Sequence, residues 1–184
     1  MIWKIPAFIL ASTVLVFISH SALRHPRSHG FFRFFAWEAI LVLFLLNVDY
    51  WWINPLAWHQ LIAWILLIAC IVPVLWGTLL LKKSGKPVTS RQGDPSLLAF
   101  EKTSTLVSSG IYKYIRHPLY SSLLLLAWGI FFKFPSWLGI LLAVLTTFFL
   151  YFTARADEAE CTSFFGPVYP EYMQKTRRFI PFVF

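Results

Sequence analysis

Two polar segments interrupt an otherwise apolar chain, and their residue types suit a ligand that carries both signs of charge. Arg116 and His117 directly precede Pro118, and Asp157 and Glu158 follow later in the chain. Proline fits the first turn of a helix, so Arg116 and His117 would lie beside free helix N–H groups, which attract an anion. The two carboxylates offer the opposite charge to an ammonium or a sulfonium. Together these residues predict a site for a zwitterionic or mixed-charge ligand.

The same residues also fit a purely structural role, and the residues alone leave that alternative open. Arg116 would then be a basic anchor at a membrane edge, His117 an interfacial hydrogen-bonding residue, and the acidic side chains of 157–160 a solvated helix end. The common motifs of dinucleotide, phosphate, metalloprotease and esterase sites are absent from the sequence. Neither a metal site nor a soluble dinucleotide-binding fold is therefore indicated.

The composition predicts a membrane protein built from helices. Of the 184 residues, 58% are hydrophobic and 13% are charged, and the mean hydropathy is +0.67, which departs from soluble domains. A spanning helix needs about 20 mostly apolar residues, so five spans leave no separate soluble domain. We expect a single all-α, polytopic membrane domain over residues 1–184, with spans at about 5–23, 34–53, 61–81, 119–132 and 137–152.

The basic residues predict the orientation of these spans. All of the 16 Lys and Arg residues except Lys4 and Lys133 follow the first, third or fifth span. Because basic residues near span ends are retained in the cytoplasm, we expect the N-terminus outside and the C-terminus inside, with a cytoplasmic loop at 82–118 and a cytoplasmic tail at 153–184. Anionic lipid at that surface accounts for the net charge of +8, so nucleic acid is not an expected partner.

The last two spans are predicted to form a short helical hairpin, because only residues 133–136 separate them. This hairpin would bring the loop and the tail together at its open end. The long loop also contains glycines and polar residues, and we hypothesise that residues 82–100 form a mobile lid over a bound cofactor.

Several motifs occur together in the last part of the chain. They are Gly110-x-Tyr112-x-x-x-Arg116-His117-Pro118-x-Tyr120, then Asp157-Glu158, then Phe165-Gly166-x-x-Tyr169-x-x-Tyr172, and finally Phe179-Ile180-Pro181. In this order and spacing they resemble the isoprenylcysteine carboxyl methyltransferase and phospholipid methyltransferase family of membrane enzymes. The resemblance implies an S-adenosylmethionine-dependent methyltransferase whose lipophilic or prenylated substrate enters from the bilayer and whose cofactor is bound by the cytoplasmic loop and tail.

The resemblance also implies roles for individual residues. His117 and Tyr120 would contact the cofactor together with Pro118, and Arg116 would orient its carboxylate or the reacting group. Asp157 and Glu158 match the paired glutamates of the family and would face the amino or sulfonium charge. The pocket walls would come from three tyrosines, and the catalytic residues would be Arg116, His117 and Glu158. The wall residues are Tyr112, Tyr169 and Tyr172.

This sequence departs from the family pattern at two positions. Asp157 replaces the first glutamate, which shortens that carboxylate by one methylene, and Ser122 stands where a glycine is common. Neither change removes a charge that the implied site requires. The N-terminal spans show no match to the family pattern, so the substrate is weakly constrained.

The methyl acceptor remains open between three chemical classes. We favour a carboxylate of the isoprenylcysteine type, which is already ionised near neutral pH and needs no base. An amine such as that of phosphatidylethanolamine must lose a proton, which Glu158, Asp157 or His117 would accept. A small thiol is the third class. Two other functions compete. One is an NADPH-dependent membrane reductase, because residues 155–184 resemble the C-terminus of sterol reductases, and the other is a small transporter or scaffold.

Overall fold

The computed structural model describes residues 2–86 and 101–181, and their secondary structure is helical with no strand. Residues 87–100 of the predicted lid lie outside the described residues. Short 3₁₀ helices occur at Val48–Tyr50 and Gly110–Lys113. The α-helices are α1 (Lys4–Leu23), α2 (His29–Asn47), α3 (Trp58–Ala69), α4 (Ile71–Ser84), α5 (Pro118–Phe131), α6 (Trp137–Phe165) and α7 (Val168–Lys175).

Four helical stretches are long and apolar enough to cross a membrane. They are Lys4–Leu23, His29–Tyr50, Trp58–Ser84 and Trp137–Phe165, and Pro118–Phe131 is a shorter apolar helix. The predicted all-α, polytopic class is therefore confirmed. Helix α6 has 29 residues, more than the roughly 20 that cross a bilayer. The limits of the individual spans therefore stay predictions.

The third apolar stretch is divided into α3 and α4 near its proline. Helix α3 ends at Ala69 and α4 begins at Ile71. Pro73 has no N–H to donate to the carbonyl of Ala69, four residues earlier, and its ring crowds that carbonyl. The break therefore lies where the proline removes one helical hydrogen bond.

Helix α2 lies at the centre of the bundle, against α1, α5 and α6. Its Ile40 and Leu43 pack with Ile130 and Phe131 of α5 and with Ala143 of α6 in one buried apolar cluster. Helix α1 is apolar on all sides and buries few of its side chains in the protein. Such a helix is stable when lipid covers the rest of its surface.

Polar contacts fix the bundle at the end that carries the α5–α6 connection, which we call the hairpin end. The Lys133 side chain is fully buried there (0% exposed). Its Nζ donates to Gln60 Oε1 at 3.0 Å and lies 3.2 Å from the ring centroid of Trp64. Asn47 Nδ2 donates to the carbonyl of Ile130 at 2.8 Å. The hairpin is thus attached to both α2 and α3.

The C-terminal segment returns to the opposite end of the bundle, which we call the pocket end. The N–H of Arg116 donates to the carbonyl of Arg177 at 2.8 Å, and the N–H of Arg177 donates to the carbonyl of Tyr114 at 2.9 Å. Phe179 is buried beside Tyr120, and its carbonyl accepts from Ser121 Oγ at 2.8 Å. The segments before α5 and after α7 are therefore joined, as the predicted hairpin requires.

Candidate active site

The backbone before α5 holds the motif residues in a fixed position. Gly110 has a φ of +59°, and a Cβ there would lie 2.5 Å from a methyl carbon of Leu80, so a larger residue would clash. Pro118 is at the first turn of α5, and its ring packs on Gly77 of α4. His117, the residue before the helix, is consequently held against the pocket end of α4 and α5.

A network of ion pairs surrounds Glu158 of α6. Arg116 Nε donates to Glu158 Oε1 at 3.0 Å, and Arg178 donates to both oxygens, at 3.0 Å from Nε and 2.7 Å from Nη2. His117 Nε2 lies 3.4 Å from the same Oε1. Two guanidinium groups and an imidazole therefore share one nearly buried carboxylate (5% exposed).

The neighbouring Asp157 binds a different set of groups. Its Oδ2 accepts from Tyr120 Oη at 3.1 Å and lies 3.4 Å from His117 Nδ1, and its Oδ1 is 3.4 Å from Cys161 Sγ. The side chain of Asp157 is more exposed than that of Glu158. Asp157 is thus the carboxylate that remains accessible to a ligand.

His117 has a carboxylate at each ring nitrogen, so both nitrogens donate only when the ring is protonated. Burial disfavours the charged ring, but the hydrogen bonds to Asp157 and Glu158 outweigh burial and raise the pKa of His117. The imidazolium is therefore the favoured form in this structure, and it adds a positive charge beside Arg116.

These residues line a polar pocket at the pocket end. Eight of the predicted site residues contribute to it, whereas Glu158 is not among the lining residues. Glu158 instead lies behind the pocket wall and binds Arg116, His117 and Arg178. The predicted lining residues are Tyr112, Arg116, His117, Pro118, Tyr120, Asp157, Tyr169 and Tyr172, and the additional ones are Leu81, Glu101, Thr103, Leu106, Val107, Leu119, Cys161 and Phe165.

Three buried tyrosines form an aromatic wall of the pocket. Tyr172 Oη donates to the carbonyl of Tyr112 at 2.7 Å, and the rings of Tyr169 and Tyr172 are 5.8 Å apart. Phe165 stacks on Tyr169 at 6.3 Å. Burial raises the pKa of Tyr169 and Tyr172, so their hydroxyls stay neutral. Flat, neutral aromatic surfaces suit a planar ring of a ligand.

Two ion pairs that the sequence motifs do not indicate connect α2 to this site. Arg33 Nη1 donates to Glu101 Oε2 at 2.9 Å, and His29 forms an ion pair with Glu160. Basic residues next to a span are typical orientation signals, and the sequence predicts that role for Arg33. The signal in the sequence is that an arginine within an apolar helix needs a nearby carboxylate when that helix is buried.

A second cavity, which we call the apolar groove, lies between α1, α2 and α5 within the apolar part of the bundle. Its volume is ≈ 510 Å³, within the roughly 300–1,000 Å³ of small-molecule sites. Every side chain that lines it is apolar or aromatic. The lining residues are Leu15, Ile18, Trp37, Ile40, Leu41, Phe44, Trp51, Leu123, Leu126 and Ile130.

Comparison with known proteins identifies the family. A family model described as phospholipid methyltransferase matches residues 58–166, more than half of the chain. The chain belongs to this family. No curated protein and no solved structure matches it. The phospholipid methyltransferase family consists of membrane methyltransferases, and with four long apolar helices this member is an integral membrane protein.

The matched segment covers only part of the candidate site. It runs from α3 through α6 and includes Glu101, Arg116, His117, Asp157 and Glu158. Helices α1 and α2, the aromatic residues of α7 and Arg178 lie outside it. The family resemblance predicted from the sequence motifs is confirmed. The parts of the candidate site outside the match are known only from the structure of this chain.

Proposed function

We propose that this protein transfers a methyl group from S-adenosylmethionine to a lipophilic acceptor at the membrane. The observation that carries the proposal is the polar pocket, in which Arg116 and His117 supply positive charge and Asp157 supplies negative charge beside an aromatic wall. S-adenosylmethionine combines a carboxylate, an ammonium, a sulfonium and an adenine ring. The donor set therefore complements each part of that molecule.

The residues divide between contact and support. Arg116 and His117 bind the carboxylate, Asp157 binds the ammonium or sulfonium, and Tyr120 positions Asp157 through its hydroxyl. Glu158 acts through its neighbours, because its carboxylate binds Arg116 and His117 without lining the pocket. We therefore propose Arg116 and His117 as the catalytic contacts and Glu158 as a positioning residue.

The adenosine part is assigned to the aromatic wall. Tyr112, Tyr169 and Tyr172 line the pocket with neutral aromatic rings, and Pro118 is also a lining residue. The pocket volume is ≈ 100 Å³, which is below the roughly 300–1,000 Å³ of typical ligand sites. Binding therefore requires the walls to move apart.

The chemistry needs alignment and the exclusion of water more than it needs acid–base groups. The cofactor supplies a methyl group that positive sulfur already activates. The acceptor forms a bond to the methyl carbon, and the electron pair of the carbon–sulfur bond returns to sulfur. Arg116, His117 and Asp157 hold the reactants in place, and no metal is required for this step.

The acceptor approaches from the bilayer through the apolar groove. On α5, Leu119 and Tyr120 line the polar pocket, and Leu123, Leu126 and Ile130 line the groove. One face of α5 therefore continues from the apolar groove to the polar pocket. This arrangement suits a lipid whose chains lie in the groove and whose head group reaches the pocket, whether the reacting group is an isoprenylcysteine carboxylate, a phospholipid amine or a thiol.

The pocket end is assigned to the cytoplasm. The chain's basic residues concentrate near this end, whereas Lys4 and Lys133 lie at the hairpin end. Retention of basic residues in the cytoplasm supports a cytoplasmic C-terminus and an external N-terminus.

Calorimetric titration of the purified full-length protein tests the cofactor. S-adenosylmethionine and S-adenosylhomocysteine are expected to bind, and His117→Ala is expected to weaken both. Glu171→Gln, a change on the exposed face of α7, serves as the control and is expected to bind as the wild type does. Absence of binding to the wild type would contradict the proposal, and binding of NADPH in its place would favour a reductase.

A further inference from the structure

Arg33 of α2 and Glu101 form an ion pair at the side of the polar pocket. Arg33 Nη1 lies 2.9 Å from Glu101 Oε2 and 3.1 Å from Oε1. Arg33 is nearly buried (5% exposed), and its guanidinium lies 5.0 Å from the ring centroid of Trp37. Glu101 lines the pocket and Arg33 does not. The pair therefore presents its negative end to the pocket.

Tyr112 lines the same pocket as Glu101. Burial raises the pKa of Tyr112, and nearby Tyr172, Glu101 and Asp157 raise it further. Asp157 also lines this pocket, so two carboxylates belong to the same site. The polar pocket thus has two acidic positions, and Asp157 is the one in contact with His117 and Tyr120.

Glu101 is linked to the proposed route from the bilayer through Arg33. Its partner Arg33 packs against Trp37, and Trp37 is a lining residue of the apolar groove. Along α2, the chain passes from Arg33 at the pocket to Trp37 and Leu41 at the groove. A lipid whose chains lie in the groove brings its head group past this ion pair.

We propose that Glu101, held by Arg33, selects the methyl acceptor by charge and favours an amine head group over a carboxylate. This inference rests on the proposed methyltransferase function. A like charge in a poorly hydrated pocket is strongly disfavoured, whereas an ammonium gains a charged hydrogen bond. Discrimination of this kind combines attraction of one ligand with repulsion of the other.

Arg33 is the positioning residue of this pair. Its guanidinium donates to both oxygens of the Glu101 carboxylate and fixes its position, which makes Glu101 a binding group for a cation. An amine acceptor binds to Glu101 as the ammonium and first loses one proton to water. The nitrogen lone pair then forms the bond to the methyl carbon, and the carbon–sulfur electron pair returns to sulfur. Arg33 lies outside the family-matched residues 58–166, so this selection is assigned from the structure of this chain.

The test compares two acceptors with the full-length protein in phosphatidylcholine nanodiscs. Phosphatidylethanolamine and an S-prenylated cysteine are supplied with radiolabelled S-adenosylmethionine, and kcat and KM are measured for each. The wild type is expected to prefer the amine. Glu101→Gln is expected to raise the KM for the amine about tenfold, the effect of one charged hydrogen bond, and to leave kcat and the Kd of S-adenosylhomocysteine unchanged.

Two further variants separate charge from structure. Glu101→Asp keeps the charge and is expected to retain the preference for the amine with an intermediate KM. Glu171→Gln makes the same chemical change at an exposed position of α7 and is expected to match the wild type. Thermal unfolding of all four proteins shows whether a change in KM accompanies a loss of folded structure.

The outcomes distinguish this inference from the proposed function. A wild-type preference for the carboxylate, or equal KM values in wild type and Glu101→Gln, would overturn the role of Glu101. The proposed function would still stand in that case, provided that the wild type binds the S-adenosyl compounds. Loss of S-adenosylhomocysteine binding in folded Glu101→Gln would also overturn it, because Glu101 would then belong to the cofactor site. A wild type that binds no S-adenosyl compound would contradict the proposed function itself.

Discussion

Arg116 Nε lies 3.0 Å from Glu158 Oε1, and this contact joins the segment before α5 to the last third of α6. The same carboxylate binds Arg178 in the C-terminal segment. Three parts of the chain that are distant in sequence thus meet at one carboxylate. Because Glu158 does not line the polar pocket, its contribution to function passes through Arg116 and His117.

Glu158→Gln is expected to destabilise the protein and to weaken cofactor binding together. The substitution leaves two guanidinium groups and His117 without their shared charge, and breaking a buried ion pair from one side costs about 3–5 kcal/mol. Thermal unfolding in detergent should show a clearly lower Tm. Glu171→Gln, which is exposed, is the matched control. A variant with the wild-type Tm would show that the network around Glu158 is not a structural support.

His117 is expected to make stability depend on pH. Its pKa is raised in the folded protein, where burial is outweighed by hydrogen bonds to Asp157 and Glu158. The stability that protonated His117 contributes is fully present below its pKa in the unfolded chain, about 6.5. This stability is lost as the pH rises through the higher pKa of the folded protein. Over that pH interval, the Tm of His117→Gln should depend less on pH than the Tm of the wild type. His25→Gln changes an exposed histidine and should follow the wild-type curve. Parallel curves for all three proteins would contradict a raised pKa.

Gln60→Ala is expected to lower stability without affecting the polar pocket. Gln60 accepts from Lys133 Nζ and donates to the carbonyls of Tyr50, Ile53 and Lys133. Its loss leaves a buried ammonium without this acceptor, and the expected cost is about 2–4 kcal/mol. The measurements are Tm and the Kd of S-adenosylhomocysteine. Gln174→Ala, at an exposed position, is the control. A change in Kd as large as the change in Tm would show that the two ends of the bundle are coupled.

Leu126→Trp is expected to obstruct the apolar groove. The larger side chain occupies the space in which the acceptor chain is proposed to lie, so the KM of a lipid acceptor should rise while the Kd of S-adenosylhomocysteine stays unchanged. Leu125→Trp places the same side chain next along α5 at a residue that does not line the groove. Equal KM values for the two variants would argue against the groove as the acceptor site.

The helical class was predictable because hydropathy is a property of consecutive residues. Long apolar runs identify helices whatever their partners. The break near Pro73 is local for the same reason, because the missing N–H of the proline acts within four residues. The proximity of the loop and the tail followed from the short connection between α5 and α6. The motif around Arg116 and His117 was recognisable for the same reason, since its spacing is local, and the family match agrees with it.

By itself, then, the sequence determined the membrane class, the hairpin, the family and most of the residues that line the polar pocket. The tertiary structure decided which of two adjacent carboxylates faces the pocket, because Asp157 and Glu158 project from neighbouring positions of α6 toward different partners. It also paired Arg33 with Glu101 and buried Lys133 beside Gln60. These contacts join residues 68 and 73 positions apart, and their energies depend on burial and on charges that only packing brings together.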